Sequence, residues 1–394
     1  MTQNPSADRP RLAMFVHTFD DRAVARLIRA LAPPLQGLGA EVSFICATRD
    51  PGSRLGVPAG VTLYDLKLGR RPTALGIPKL ARLFRRRRFD VLFAHLNGPG
   101  RSAILARMLG GGGLKLVPVE HTHFSTFYRR RRWIRHRLTA ILYPLADLVG
   151  GGSQGVLDDL VELAPRIAGR TVILPSVGPD AQTVAAAQET VPDHPWFRSR
   201  DEARIVCSLG NVVPRKGQMV LVEALPLVRA EAGNVRLVLV GRHDDEEYAH
   251  ALARRAEELG VVEAVYLAGY QDDALSFVAH SDVFAFASTT EGAPMVLVEA
   301  MACGIPVVST DCPVGPREIL EDGRSGLLVE MNDPAAMAAE LTRVLMDTAL
   351  REHLVSAGIR RAEDFSPSAV AQAYMRVAEQ LLGTSPPATR SETS

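Results

Sequence analysis

Cysteine is scarce in this chain. There are four, Cys46, Cys207, Cys303 and Cys312, among 394 residues, and no two form a C-x-x-C pair. That excludes a disulfide framework and a zinc site of the usual spacing, and it points to reduced core thiols in a reducing compartment. Long apolar runs are also missing: no window of roughly 18 residues is both apolar and uncharged, so a spanning helix is not expected. The N-terminal segment MTQNPSADRP has no apolar signal core, so a cytosolic protein is expected. What remains is ordinary globular material, with 47% hydrophobic and 23% charged residues. At roughly 150 residues per domain, the length suggests two domains.

A net charge of +1 hides a strong asymmetry. Residues 1–180 hold 27 Lys+Arg against 13 Asp+Glu, and the remainder holds 18 against 31. A basic half is therefore joined to an acidic half, and the basic half should face something anionic. Its densest blocks are Arg85–Arg88 and Arg129–Arg137, the second interleaved with Trp133, Ile134 and Leu138. Such a helix suits an anionic membrane surface, where each basic residue contributes about 1 kcal/mol. A solvated helix face is the alternative. Nucleic acid ranks last, because no zinc-finger or RNP-type spacing accompanies the arginines.

Short apolar runs alternate with amphipathic stretches along the whole chain. Strands are expected at 12–16, 42–46, 61–66, 91–94, 116–119, 147–150 and 172–174. A second set is expected at 205–209, 235–240, 265–267, 283–287, 306–309 and 327–329. Between the first two runs, Val24, Leu27, Ile28 and Leu31 carry the i, i+3, i+4, i+7 spacing of a buried helical stripe. Two successive sets of this kind predict two doubly wound parallel-sheet domains. The expected layout is a basic domain at 1–180, a linker at 181–203, an acidic domain at 204–365, a C-terminal helix at 366–383 packing back on the first domain, and a flexible tail at 384–394. Ligands of such folds sit at the carboxyl ends of the strands, and a cleft between facing domains is the default site.

Residues 288–308 carry the densest chemistry, STTEGAPMVLVEAMACGIPVV. Pro294 fits the first helical position, Gly304 the C′ position, and Pro306 closes the helix. Every side chain between these stops is apolar except Glu299, which predicts a buried helix with one carboxylate in need of a partner or a use. Glu291 stands just before the helix, where the dipole favours its charge. Backbone N–H groups from Gly292, Ala293, Pro294's neighbours Met295 and Val296 open an anion site that suits a diphosphate. A cap at Glu291 and an ion pair at Glu299 is the purely structural alternative. A second segment, LGNVVPRKG (209–217), ends in Lys216, placed to neutralise a leaving diphosphate or simply to sit in a solvated turn. A third, TDCPVGPREIL (310–320), turns at Gly315–Pro316 into a short helix. His95, His121 and His123 follow predicted strands in the basic half. A metal trio is the weaker reading of these three and a hydrogen-bonding histidine the stronger.

Together these residues resemble a family-4 retaining glycosyltransferase of the GT-B fold. The signature is E-x7-E, here Glu291 to Glu299, with the G-x5-K-G turn Gly210, Lys216, Gly217 upstream. LVLVG (237–241), LAGY (267–270), SDVF (281–284), the Gly-Pro-x-Glu of Gly315 to Glu318 and GLLV (326–329) follow in family order. The match is specific over Ile205 to Leu345 and looser in the first half, where His121 and DLVGGGSQGVLDDL carry it. The resemblance implies two Rossmann-like domains, the second holding a nucleotide-activated sugar and the first the acceptor. It implies that Lys216 grips the diphosphate, with Gly210, Asn211, Arg215 and Gly217 around it. Glu291 would contact the hexose and Glu299 the ribose. Backbone of Gly292–Val296, Gly315, Glu318, Gly269 and Tyr270 would complete the donor site, and His121 would meet the sugar near the reacting carbon. Transfer would proceed with retention, with no metal or cofactor, from a UDP-hexose (GDP as second choice) to an envelope glycan or membrane-linked acceptor on the inner face of the membrane. The catalytic set is then Glu291, His121 and Lys216.

Three departures from the family stand out. Asn211 replaces an arginine. The first loop, HTFDDRAV (17–24), carries Asp20 and Asp21 where glycines are usual, and these would repel phosphate. VILPSVGP (172–179) replaces an Asn-Pro strand end. Other functional classes remain open at this level. A nucleotide-sugar epimerase or hydrolase would need acid/base carboxylates in the first half, with Glu120 available. A glycosidase using Glu291 and Glu299 and a non-catalytic sugar-nucleotide binder complete the set.

Overall fold

The computed structural model describes residues 9–20, 22–53, 56–123, 125, 132–198 and 203–384. Asp21, Arg129–Arg131 and the tail beyond 384 lie outside the described residues. The chain divides into two units, one of Met1–Val177 with Pro367–Ser394 and one of Gly178–Ser366.

The first unit is built on seven parallel strands: β1 (Arg11–Phe19), β2 (Glu41–Arg49), β3 (Thr62–Asp65), β4 (Val91–His95), β5 (Lys115–Glu120), β6 (Val149–Gly151) and β7 (Thr171–Ile173). Their order is β3-β2-β1-β4-β5-β6-β7. The second unit carries six: β8 (Arg204–Leu209), β9 (Val235–Val240), β10 (Val265–Gly269), β11 (Val283–Phe286), β12 (Val307–Thr310) and β13 (Leu327–Val329), in the order β10-β9-β8-β11-β12-β13. Each of the thirteen expected strands is present. They were legible because a parallel strand covered on both faces must be apolar throughout; Leu12, Ala13, Met14 and Phe15 are all fully buried. In both sheets the order reverses beside the first strand of the unit, between β1 and β4 and between β8 and β11. A crevice opens at the carboxyl ends of the strands at such a switch point.

The Ala23–Gly37 helix buries Leu27, Ile28 and Leu31 as its spacing predicts. It packs beside the Pro367–Leu382 helix, whose Val370, Tyr374, Val377 and Ala378 join the core of the first unit. Two parts of the segment expected as a linker, 181–203, are helical instead, and 199–202 lie outside the described residues. Asp180 caps a helix over Ala181–Glu189 by accepting from the Thr183 N–H at 2.7 Å. A further turn, Pro195–Arg198, buries Phe197 in the second unit. Its Gly, Pro and charge content suggested a loop, but the Asp cap and the alanine-rich stretch behind it are stronger local signals. No helix among the described residues is long and apolar enough to cross a membrane.

One polar seam runs through the first unit. Glu120 at the end of β5 is fully buried and accepts a hydrogen bond from the Tyr143 hydroxyl. Asn97 donates to Thr139 at 2.9 Å and to Tyr143 at 3.3 Å. The seam thus ties the ends of β4 and β5 to the Arg132–Leu142 helix and the turn behind it. Burial pushes the Glu120 carboxyl up to about 7, outweighing the bonds from Tyr143 and Asn97. The unfolded carboxyl ionises near its ordinary 4.5, so as pH rises through the window from there to 7 the unfolded state sheds a proton that the fold retains. Stability falls across that window. Glu120→Gln keeps an acceptor for Tyr143 and removes the penalty. Its melting temperature should match wild type near pH 4 and exceed it at pH 8, by on the order of 1–3 kcal/mol of stability. An unchanged gap between the two pH values would show that folding does not raise the Glu120 carboxyl.

Candidate functional site

The second-unit site assembles at the β8/β11 switch point. After β8 the chain turns at Gly210, whose N–H bonds the Val240 carbonyl at 2.8 Å. It then forms a single 3-10 turn over Pro214–Lys216. Gly217 follows with φ +65, and a Cβ there would lie 2.0 Å from the Ala287 carbonyl oxygen. Only glycine fits, for both reasons. The turn is also stitched to the strand end by the Thr289 N–H, which donates to the Arg215 carbonyl at 2.9 Å. Backbone sterics therefore press the Lys216 turn onto the end of β11.

Beyond β11 the chain runs through Glu291 into the Met295–Ala302 helix. Pro294 is its N-cap, one position before the expected place. The other end is as expected: Gly304 has φ +75, and its N–H and that of Ile305 bond the Met301 and Ala300 carbonyls, each at 3.0 Å. This is a Schellman closure. Leu297, Val298, Ala300 and Met301 are buried, whereas Met295, Val296, Glu299 and Ala302 are half-buried. The helix therefore shows one face to solvent, and Glu299 sits on it instead of in the core.

Lys216 and Glu291 meet. The ammonium donates to Glu291 Oε1 at 2.6 Å, with the two side chains only 15% and 12% exposed. Arg215 Nη1 stands 3.9 Å from the same oxygen, and the ammonium lies 5.4 Å from the Phe286 ring centroid. A charge-assisted bond at this depth fixes both groups. The third segment joins them: Gly315 has φ +103, and a Cβ there would lie 2.4 Å from Pro294 Cδ and 3.3 Å from the Gly292 carbonyl oxygen. Thr310 Oγ1 donates to the Ser288 carbonyl at 2.6 Å. The helix after Gly315 is the four-residue turn Pro316–Ile319, with the Glu318 carbonyl accepting from Arg361 at 3.1 Å. Gly269 turns with φ +66 and accepts from the Gly241 N–H, leaving Tyr270 exposed.

Asn211, where the resemblance calls for arginine, donates to Asp244 Oδ2 at 2.5 Å, and Arg242 Nε lies 3.7 Å from the other oxygen of that carboxylate. Sequence reasoning missed Arg242 and Asp244. The signal was available in their place directly after the LVLVG strand, beside Gly210. Two buried polar atoms next to the turn, Ser288 Oγ and Gln218 Oε1, have no hydrogen-bond partner among the described residues.

In the first unit, histidines near the ends of β1 and β4 and just after β5 lie by the other switch point. His17 Nδ1 is 2.7 Å from Thr73 Oγ1. His95 Nδ1 is 3.0 Å from His121 Nε2. His123 lies 3.5 Å from Asp159, which also accepts the Ser125 N–H. The three histidines therefore do not converge on one point, and no group of three or more metal-ligating side chains occurs among the described residues. Burial drives His121 down to about 4 and His95 well below its ordinary range, so both imidazoles are neutral. Asp20 does not project a bare charge toward the crevice: it is nearly buried and bonded to the Arg22 guanidinium and N–H.

Comparison with known proteins gives the family and the fold. Residues 193–361 match the family described as glycosyl transferases group 1, and residues 24–176 match glycosyltransferase family 4. A 4-alpha-N-acetylgalactosaminyltransferase of Campylobacter jejuni, acting on a diphospho-undecaprenol-linked sugar, is 30% identical over 303 residues, 75% of this chain and 77% of its own. The lipopolysaccharide core biosynthesis glycosyltransferase LpsE of Rhizobium meliloti is 36% identical over 186 residues, 47% of this chain and 51% of its own. Among solved structures, Anabaena HepE in complex with UDP and glucose superposes with a TM-score of 0.73 at 19% identity, over 94% of this chain and 99% of its own. The chain belongs to the group 1, family-4 glycosyltransferases, and it is a transferase on the GT-B fold.

Proposed function

We propose that the protein moves a hexose, with retention and without a metal ion, from a UDP-sugar to an envelope glycan or lipid-linked acceptor. The observation that carries this is the 2.6 Å Lys216–Glu291 pair at the mouth of the Met295–Ala302 helix. A diphosphate meets an ammonium and a helix N-terminus there, and a sugar hydroxyl meets a carboxylate. In the transfer the bond from the anomeric carbon to the acceptor oxygen forms as the bond to phosphate breaks. The departing phosphate takes the acceptor's proton on the same face. Lys216 stabilises the charge that grows on that phosphate. The UDP in the HepE structure supports the choice of nucleotide. The lipid-linked and lipopolysaccharide substrates named for the relatives support the acceptor class. Glu120, the carboxylate on which an epimerase would depend, is fully buried against Tyr143, which favours transfer over epimerisation.

The Arg132–Leu142 helix supports a peripheral place on an anionic membrane. Trp133, Ile134, Leu138 and Ile141 are all exposed along it, with Trp133 at 66% and Ile141 at 64%. Arg135 and Arg137 lie between them, and the exposed Arg85–Arg88 block adds charge in the same unit. Aromatic and aliphatic side chains inserted at headgroup depth, flanked by cations, bind such surfaces.

Lys216→Ala and Glu291→Ala should each lower transfer by roughly a hundredfold or more, the usual loss of a transition-state donor, while the fold survives. Full activity in either would overturn the assignment. A thermal-shift panel of sugar nucleotides should single out a UDP-hexose, with about 2.7 kcal/mol of stabilisation at a hundredfold excess over Kd; a selective response to GDP-sugars would replace the donor. Vesicle sedimentation should require anionic lipid, weaken with salt and fall in Trp133→Ala/Ile141→Ala, whereas equal binding to neutral vesicles would refute the membrane contact.

A further inference from the structure

In the second unit, the four-residue turn Pro316–Ile319 sits beside the helix mouth, with Gly315 pressed against Pro294 and the Gly292 carbonyl. A turn this short does not hold itself, because helix nucleation is unfavourable in isolation. Ile319 and Leu320 are buried in the core behind it. Apolar burial fixes the depth of a segment but has no direction, so it leaves the aim of the peptide planes open.

Arg361 supplies that direction. It stands in the last turn of the Thr348–Glu363 helix, with its side chain 19% exposed. Its Nε donates to the Ile319 carbonyl at 3.0 Å and its Nη2 to the Glu318 carbonyl at 3.1 Å. These are carbonyls that a helix end leaves without an internal partner. The other side of each peptide unit reaches back to the site. The Ile319 N–H donates to the Gly315 carbonyl at 2.9 Å, and the Leu320 N–H to the Pro316 carbonyl at 2.8 Å. Each plane therefore has the guanidinium at one end and the Gly315–Pro316 backbone at the other. A charged donor on the carbonyl polarises the amide and strengthens the bond its N–H makes. The guanidinium is itself seated: Cζ lies 4.8 Å from the Phe365 ring centroid, and Nη1 donates to the exposed Asp364 at 2.8 Å. One turn earlier on the same face, Gly358 admits Met301, whose Cγ would lie 3.1 Å from a Cβ there. The Thr348–Glu363 helix thus backs both the Met295–Ala302 helix and the turn beside its mouth.

We propose that Arg361 is a positioning residue for the nucleoside-diphosphate site of this unit. It acts through two peptide planes, holding the Gly315–Pro316 backbone against the Gly292–Pro294 mouth, and touches no ligand itself. The proposal rests on the reading of Gly315–Glu318 as part of the donor site.

Titration calorimetry with UDP tests it. Arg361→Ala should weaken UDP by about tenfold through the lost charge-assisted bonds, while kcat at saturating donor stays within about threefold of wild type. Guanidinium chloride at millimolar concentration, far below the denaturing range, should restore the affinity of Arg361→Ala, and sodium chloride should not. Arg361→Lys keeps the charge but reaches only one carbonyl, so its loss should be about threefold. Asp364→Ala removes only an exposed ion pair and should leave UDP affinity unchanged. A merely structural arginine would lower the melting temperature of Arg361→Ala and leave the UDP affinity of the folded protein alone. Wild-type affinity in Arg361→Ala, no recovery with guanidinium, or an equal loss in Asp364→Ala would each overturn the proposal. Arg361→Lys decides alone should Arg361→Ala fail to fold, with wild-type affinity again the overturning result. Lys216→Ala tests the underlying reading. Unchanged UDP affinity there would overturn the donor site itself, whereas a loss there with none in Arg361→Ala overturns only the role of Arg361.

Discussion

Everything in the second unit turns on the contact of two backbones. Gly217 lies so near the Ala287 carbonyl that no side chain fits between them, and that approach is what delivers Lys216 to Glu291. The ion pair is the product of sheet topology: β8 and β11 are neighbours in space although some 75 residues separate the two side chains. Without ligand the lysine and the glutamate neutralise each other, which makes their burial tolerable. A bound diphosphate and sugar would each offer one of them a new partner. The site is thus held in shape by the same charges that would receive the ligand, and little reorganisation separates the two conditions.

The sequence was most legible where one physical rule dominates. Parallel strands have no polar face, so all thirteen stood out as apolar runs. Gly304 was legible as a helix end and Gly315 as a turn, while Gly217 was legible only through the motif it closes, and each has a positive φ in the structure. The helix over Ala181–Glu189 departs from the expected linker because the cap at Asp180 outweighs the loop composition around it. The burial of the Met295–Ala302 helix was overestimated because periodicity shows which residues are apolar, not how many faces find a neighbour.

What stayed hidden depends on register between distant strands. Nothing local links His95 to His121; only the alignment of β4 with β5, Val91 opposite Lys115 and His95 opposite Val119, sets their rings end to end. The Asn211–Asp244–Arg242 cluster is hidden in the same way, being a product of β8 lying beside β9. Asp20 had looked like an electrostatic obstacle, but its partner Arg22 is two residues away. In that case the answer was local and was passed over in favour of the family's glycine pattern.

The return of the Pro367–Leu382 helix to the first unit has a consequence for how the molecule comes into being. The wall formed by Val370, Tyr374 and Val377 is the last part of the core to be synthesised. Residues 178–366 can close their own sheet as they leave the ribosome, whereas residues 1–177 wait with one flank of the Ala23–Gly37 helix uncovered. The N-terminal half is made first and finished last, and its exposed flank is an interval in which a chaperone has something to hold.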